Sequence, residues 1–477
     1  MKMVKSLLLG SAAGLVAVAG AQAADLPVKA KPVEYVKVCS AYGAGFYYIP
    51  GTDICLRVGG YLWSELEVNN RGAGTQVAGT GANRDRGDDW ISWRVRNVMI
   101  FDARTNTEYG TLRSYFSGGW QWTTSNAGNI GNGIGAGQAQ AFGGGATYNA
   151  VNWEWYYDRA FIQFAGLTFG YIGSFFDFDP SMILDQQFSK SFKFTPAIAY
   201  TAQFGNGISA TISMEDATSR RNQITDVAWS TATLNTNLYA AQFSPNWVAN
   251  LRVDQAWGDA QISAATMQVK CSNQASGAAA GAIICAPAAT DKWAYAFLGG
   301  VNFKLPNIAP GDSWQIEAAW SKGGVDFVGV SGNPYQQVGL IAYRTHSQGP
   351  ILDLFDAFVD GTGLHLTKAW SINTQFRHFW TPTLRSTIAY GYLSVDVPSE
   401  ANAAPFNHPD FHNHQVTANL IWSPVKNLDL GLEAFWVKNT GSCATATCSN
   451  GAVGTTALGG KSSIDYFGGL FRARRDF

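Results

Sequence analysis

Two arginines, Arg94 and Arg96, stand two apart in WISWRVRNVMIF, and three aspartates, Asp177, Asp179 and Asp185, stand among aromatics in FFDFDPSMILDQQF. Guanidinium groups keep their charge throughout the physiological pH range, so they act as fixed charge rather than as acid–base catalysts. Set against carboxylates across water, they create a transverse field that orients dipolar solutes and disfavours apolar ones. Arg113 and Arg159 carry the basic set onto the next two segments, and Arg252 and Arg377 add to it elsewhere. The same residues can equally be structural ion pairs along a wet wall, and the two readings are compatible.

The histidines raise a second chemistry. All six lie between His346 and His414, with His408, His412, His414 and Asp410 together in NHPDFHNHQ. His412 and His414 are spaced to hold a metal on one strand face. A polar outer loop running into a strand accounts for them as well, and is the reading adopted. An enzyme would need a histidine fixed against an aspartate or serine, and the sequence fixes no such pair. No catalytic residue, metal or cofactor is assigned. Gly128–Gly145 lacks the complete GxGxxG spacing and a strand-to-helix context, which makes it loop rather than a nucleotide cradle.

Strands must position these charges. Residues two apart on a strand share a face, so Arg94 and Arg96 oppose Trp93, Val95, Met99 and Phe101. In His365–Trp380, Leu366, Trp370, Ile372, Phe376 and Trp380 likewise oppose Thr367, Ser371, Asn373, Gln375 and Arg377. Such alternation recurs from about residue 56 to the end. It predicts strands at 56–68, 90–104, 110–122, 154–165, 167–175, 196–205, 207–216, 247–257, 260–270, 292–305, 313–323, 365–380, 384–397, 414–425, 428–440 and 463–477.

The connections alternate short and long. Turns at 105–109, 166, 206, 258–259, 306–312, 381–383 and 426–427 are tight, whereas 69–89, 123–153, 217–246, 271–291, 324–364, 399–413 and 441–462 are long and polar. This rhythm with an even strand count predicts an all-β fold, a 16-stranded antiparallel transmembrane β-barrel. Its bore would hold water rather than a filled core. Trp293, Trp314, Trp380 and Trp422 stand at the ends of apolar faces, as interfacial girdles require and a sandwich core does not. The excursion Phe176–Phe194 follows the fifth strand and is read as a third long loop folded inward, its aspartates facing the arginines.

The ends and the composition agree. Residues 1–23 have Lys2 and Lys5 before a short apolar run and end in Ala21-Gln22-Ala23, the pattern of a cleaved secretory signal. Residues 24–55 read as a periplasmic lead and 56–477 as the barrel. The chain carries 52 Gly, 17 Trp, 19 Tyr and 28 Phe but only 14% charged residues, which suits many strands with one face toward lipid. The formal net charge is −1 and becomes more negative when Lys2 and Lys5 leave, excluding nucleic acid as a partner. Six cysteines in an exported chain suggest local bridges. Pairs Cys39–Cys55, Cys271–Cys285 and Cys443–Cys448 keep each bridge on one side of the membrane. The final strand places Phe467, Phe471 and the terminal Phe477 on one face, with Phe477 closing the barrel and offering a signal to the assembly machinery.

VCSAYGAGFYYIPGTDICLRVGGY, Val38–Tyr61, following a lysine/proline lead and a signal ending AQA-AD, resembles the start of the alphaproteobacterial outer-membrane porins. The resemblance implies a trimer of barrels in the outer membrane, among lipid and lipopolysaccharide, each passing small hydrophilic solutes and ions passively. By position it makes Phe176–Phe194 the constricting loop and Arg94, Arg96, Arg113 and Arg159 its basic wall. A substrate-specific channel, a barrel enzyme using His408–His414, and a purely adhesive surface protein are the competing expectations.

Overall fold

A computed structural model describes residues 37–69, 91–125, 150–184, 189–222, 224–225, 239–272, 291–329, 355–360, 362–402, 410–448 and 458–477. The chain divides into two compact units, residues 1–56 and 57–477. In the first, Cys39 and Cys55 form a disulfide and are buried with Phe46, against which Tyr42 and Tyr48 pack. Tyr47 and Tyr48 pair antiparallel with Leu56 and Cys55.

The second unit is the barrel. Its strands are β1 (Cys55–Asn69), β2 (Ile91–Thr107), β3 (Gly110–Ser125), β4 (Ala150–Phe164), β5 (Leu167–Gly173), β6 (Phe194–Gly205), β7 (Ile208–Glu215) and β8 (Asn246–Gln255). They continue as β9 (Gly258–Val269), β10 (Lys292–Lys304), β11 (Ser313–Lys322), β12 (Lys368–Thr381), β13 (Leu384–Asp396), β14 (Asp410–Val425), β15 (Leu428–Cys448) and β16 (Leu458–Asp476). Each pairs with its neighbours in this order, and β16 pairs antiparallel with β1. The sixteen strands therefore close on themselves. At the seam, Gly60 and Phe477 exchange N–H···O bonds of 3.1 and 3.0 Å.

Turn chemistry sets the short connections. Asn206 and Gly207 have φ of 51° and 76°, the left-handed pair that matches the twist of a two-residue hairpin. Gly207 has a second reason to be glycine, because a Cβ there would lie 1.8 Å from the Asp254 carbonyl oxygen.

The two faces separate as the alternation requires. Trp120, Trp155, Trp293, Trp314, Trp370, Trp380 and Trp422 are exposed on the outer surface, with Ile198, Ile262, Ile388 and Leu432. In water such a surface would be costly; in a bilayer it is the solvated side. Arg475 interrupts it near the end of β16, and its Nη1 donates to the Lys426 carbonyl at 2.7 Å, capping a tight turn.

Three expectations need correcting. The segment 365–380 is not one strand: Gly363–Leu366 pairs with Ala357–Asp360, which pairs in parallel with Ile224–Thr225. The barrel strand starts only at Lys368, because Thr367 N bonds to the Asp356 carbonyl instead of to the ladder. The last long loop is shorter than 441–462, since β15 runs to Cys448 and β16 starts at Leu458. The inner wall is also not wet throughout. Phe176, Phe178, Ile224, Met267, Val325, Phe327, Leu364 and Phe411 belong to one buried apolar cluster.

Candidate functional site

The connection between β5 and β6 makes most of the site's contacts. Leaving β5, Ser174 Oγ and Phe175 N donate to the Glu215 carboxylate of β7 at 2.7 and 2.9 Å. Asn250 of β8 donates to the Phe175 carbonyl at 2.7 Å, and Gln261 of β9 to that of Asp177 at 2.9 Å. Ser181 Oγ and Met182 N donate to Gln375 Oε1 of β12 at 3.2 and 2.6 Å. Leu184 N donates to Glu433 Oε2 of β15 at 2.6 Å, and its carbonyl accepts from Arg472 Nη1 of β16 at 2.6 Å. On the way back, Lys190 Nζ meets Glu317 Oε2 of β11 at 2.5 Å, and Asn373 of β12 donates to Ser189 Oγ at 3.3 Å.

Side-chain size along the wall fits this path. Gly431 of β15 is bare where a Cβ would come within 2.7 Å of Leu184 Cδ1, and Gly300 of β10 is bare beneath the Phe178 ring.

The root of this connection is a buried ionic cluster. Asp177 accepts from Ser191 Oγ, Lys193 N and Arg220 Nη2, each at 2.6 Å. Arg220 Nη1 also meets Asp326 at 3.1 Å, and Lys193 Nζ meets it at 2.7 Å. Buried charge is tolerated only when paired and hydrogen-bonded in this way. Asp177 is thus placed in the loop's own foundation. Asp179 meets Arg252 Nη1 at 2.9 Å, and the same guanidinium reaches Asp254 and Asp259 at 3.0 and 3.1 Å. Asp185 lies outside the described residues.

The basic wall is organised around acids that the sequence reading did not single out. Glu65 of β1 takes Arg94 Nη2 at 2.5 Å on one oxygen and Arg472 Nε at 2.6 Å on the other. Arg96 Nε donates to Gln121 Oε1 at 2.7 Å. Trp63 lies among all three guanidinium carbons, at 5.0 Å from Arg94, 4.8 Å from Arg96 and 4.5 Å from Arg472. Cation–π attraction holds such groups against the ring. Arg113 clamps Asp102 at 3.0 and 3.1 Å, beside Arg104, and lies over Tyr115 and Phe161. Arg159 meets Asp158 at 3.4 Å and lies over Phe194 at 5.3 Å. Asp158 is the extra residue where the β3–β4 register shifts. Arg377 lies over Phe379 at 5.8 Å. A signal for the missed partners was present: Glu65 and Glu67 alternate with Leu66 and Val68, and Arg472-x-Arg474 repeats the spacing of Arg94-x-Arg96.

His412 and His414 do share a face of β14, the one opposite buried Phe411, Asn413 and Gln415. Their Nδ1 atoms lie 3.2 Å from Tyr392 Oη and 3.0 Å from Tyr390 Oη, so they join the outer aromatic belt. His408 lies outside the described residues. Cys271 is disulfide-bonded, while Cys285 and the side chains of Cys443 and Cys448 lie outside them. Between the loops, Asp356 accepts from Asn222 N, Tyr239 Oη and Val325 N at 2.9, 2.9 and 3.0 Å. Burial pushes its carboxyl up to about 7.

Comparison with known proteins adds three findings. The family described as Porin subfamily matches residues 25–460. Porin Omp2b of Brucella melitensis is 34% identical over 265 residues, covering 54% of this chain and 63% of that protein. Porin Omp2a of Brucella ovis is 36% identical over 218 residues, covering 44% and 59%. The matched regions thus span less than two thirds of these relatives. The crystal structure of the outer membrane channel DcaP of Acinetobacter baumannii superposes with a TM-score of 0.56 at 16% identity, covering 90% of this chain and 99% of that one, a likeness of fold. A closed 16-stranded barrel with an apolar outer band, related to porins, is a multi-pass outer-membrane protein. With the match running over most of its length, the chain belongs to the porin subfamily.

Proposed function

We propose that the protein is a water-filled channel for passive diffusion of small hydrophilic solutes and ions across the outer membrane, narrowed by residues 174–184 and 189–193. The observation that carries this reading is the path of hydrogen bonds from that loop to inward residues of β7, β8, β9, β11, β12, β15 and β16. A loop tied to that many strands of one ring lies across its bore, and solute is left the space beside Arg94, Arg96 and Arg113. Family membership supports passive transport, which needs no energy coupling and no catalytic residue. Resemblance to the family also favours a homotrimer.

Reconstitution in a planar bilayer tests the reading. Purified protein is expected to give stepwise ohmic currents in triplets; complete absence of current would refute the channel. A substrate-specific channel would instead show current blocked at low concentration by one solute class.

A further inference from the structure

The chain carries more acid than base, 34 Asp and Glu against 33 Lys and Arg, so its formal charge gives no reason to expect a pore that favours anions. The arrangement of the wall charges points the other way. We propose that the channel prefers small anions, and that Arg94, Arg96 and Arg472 around Trp63 form the part of the wall that draws them in. This rests on the diffusion-channel reading above.

The argument is one of depth. At Glu65 the carboxylate is 2% exposed, while its partners Arg94 and Arg472 are 16% and 15% exposed. At Asp102 the contrast is 0% against 26% for Arg104 and 25% for Arg113. Asp158 and Arg159 repeat it at 12% and 45%. In each pair the acid lies at the base and the guanidinium covers it. Water in the bore therefore meets the positive partner first. A passing ion is nearer the guanidinium than the carboxylate, so each pair turns the positive end of a dipole toward the bore. Around Glu65, three guanidinium groups against one carboxylate leave net positive charge.

The stacking on Trp63 adds a second element. Three guanidinium groups held against one indole form a fixed rather than a floppy cationic surface. The pairs that break the rule lie at strand ends. Toward the tight turns these are Arg385 with Asp429 at 21% and 33%, Arg474 with Asp476 at 41% and 42%, and Arg252 with Asp254 at 25% and 56%. At the long-loop end it is Lys270 with Asp291, at 29% and 40%. Strand ends see the bulk solution and do not set the field at mid-wall. On the far side, Asp177 and Glu317 are only 7% and 1% exposed and are paired with the equally enclosed Arg220 and Lys190. Asp179, 23% exposed beside Arg252, is the acid of that loop that stays partly open to water and works against the anion preference.

The test is the reversal potential of the reconstituted channel under a potassium chloride gradient, for the natural protein, Arg96→Gln and Arg94→Gln. Arg96→Gln leaves both Glu65 bridges in place, so it removes charge without stranding that buried acid. The expected result is a chloride-side reversal potential that moves toward zero in Arg96→Gln and further in Arg94→Gln. A potassium-side or zero potential in the natural protein would overturn the anion preference and leave the channel reading intact. A chloride-side potential untouched by both substitutions would overturn the assignment to this wall. Absence of current would sink the channel reading, and the proposal with it.

Discussion

Phe178 occupies the space that a side chain on Gly300 would need, since a Cβ there would stand 2.4 Å from the ring. The loop is seated against β10 by the absence of a side chain as much as by any contact. Gly300→Val is expected to lift Phe178 from the wall at a cost of about 1–3 kcal/mol. The channel should then pass a larger and noisier current. Unfolding midpoints in detergent and single-channel recordings check this; unchanged values in both would mean Phe178 is not a fixed point of the loop.

Lys190 and Glu317 form an ion pair that is 1% exposed on each side. Removing one partner leaves the other charged and buried. Lys190→Met alone is expected to destabilise the barrel by about 3–5 kcal/mol, and the double change with Glu317→Leu to recover much of the loss. A double-mutant cycle on urea unfolding would measure the coupling. Additive losses would contradict it.

Asp177 and Asp179 are expected to differ. Asp177 holds three donors at the loop's root and is nearly buried, whereas Asp179 shares Arg252 and is partly open to water. Asp177→Asn should lower stability with little change in reversal potential. Asp179→Asn should move the reversal potential toward the anion side with little loss of stability, since partly exposed pairs are worth about 1 kcal/mol or less. The opposite assignment of effects would show that Asp177, not Asp179, faces the permeating ions.

Asp356 should make the loop roots pH-sensitive. Its folded value of about 7 exceeds the ordinary 3.8 because burial disfavours the charge, so the folded chain binds this proton more tightly than the unfolded one. The associated stability is complete below about pH 4 and is lost as pH rises through about 7. The amides of Asn222 and Val325 donate to this carboxyl. Their hydrogen exchange, corrected for intrinsic rate, is expected to accelerate across that window in the natural protein and to stay level in Asp356→Asn. A level profile in both would remove Asp356 as the cause.

The strand rhythm was readable because a barrel imposes period two on every strand, and Trp370, Ile372 and Trp380 face outward as their spacing required. Partners were not readable. Alternation says that Arg94 points inward but not that Glu65, twenty-nine residues earlier, will stand beneath it; that depends on stagger between strands, which turn lengths fix only in part. The interior core was harder still. Phe327 and Ile224 sit in loop-like sequence without periodicity, and their burial depends on where the loops fold. The break at Thr367 was hidden because Leu366 continues the alternation of β12 by coincidence of parity.

Gly60 and Phe477 close the ring with two hydrogen bonds, although they lie at opposite ends of the barrel sequence. Contacts of such separation are the slowest to form, because ordering of the whole intervening chain precedes them. Until the last strand has been made and docked, β1 presents an unpaired edge, the feature through which strands recruit one another between chains. The seam therefore acts as a timer on biogenesis: the interval between export and closure is the period in which this chain is most exposed to aggregation, and a substitution that slowed β16 docking would act there before it altered any property of the finished pore.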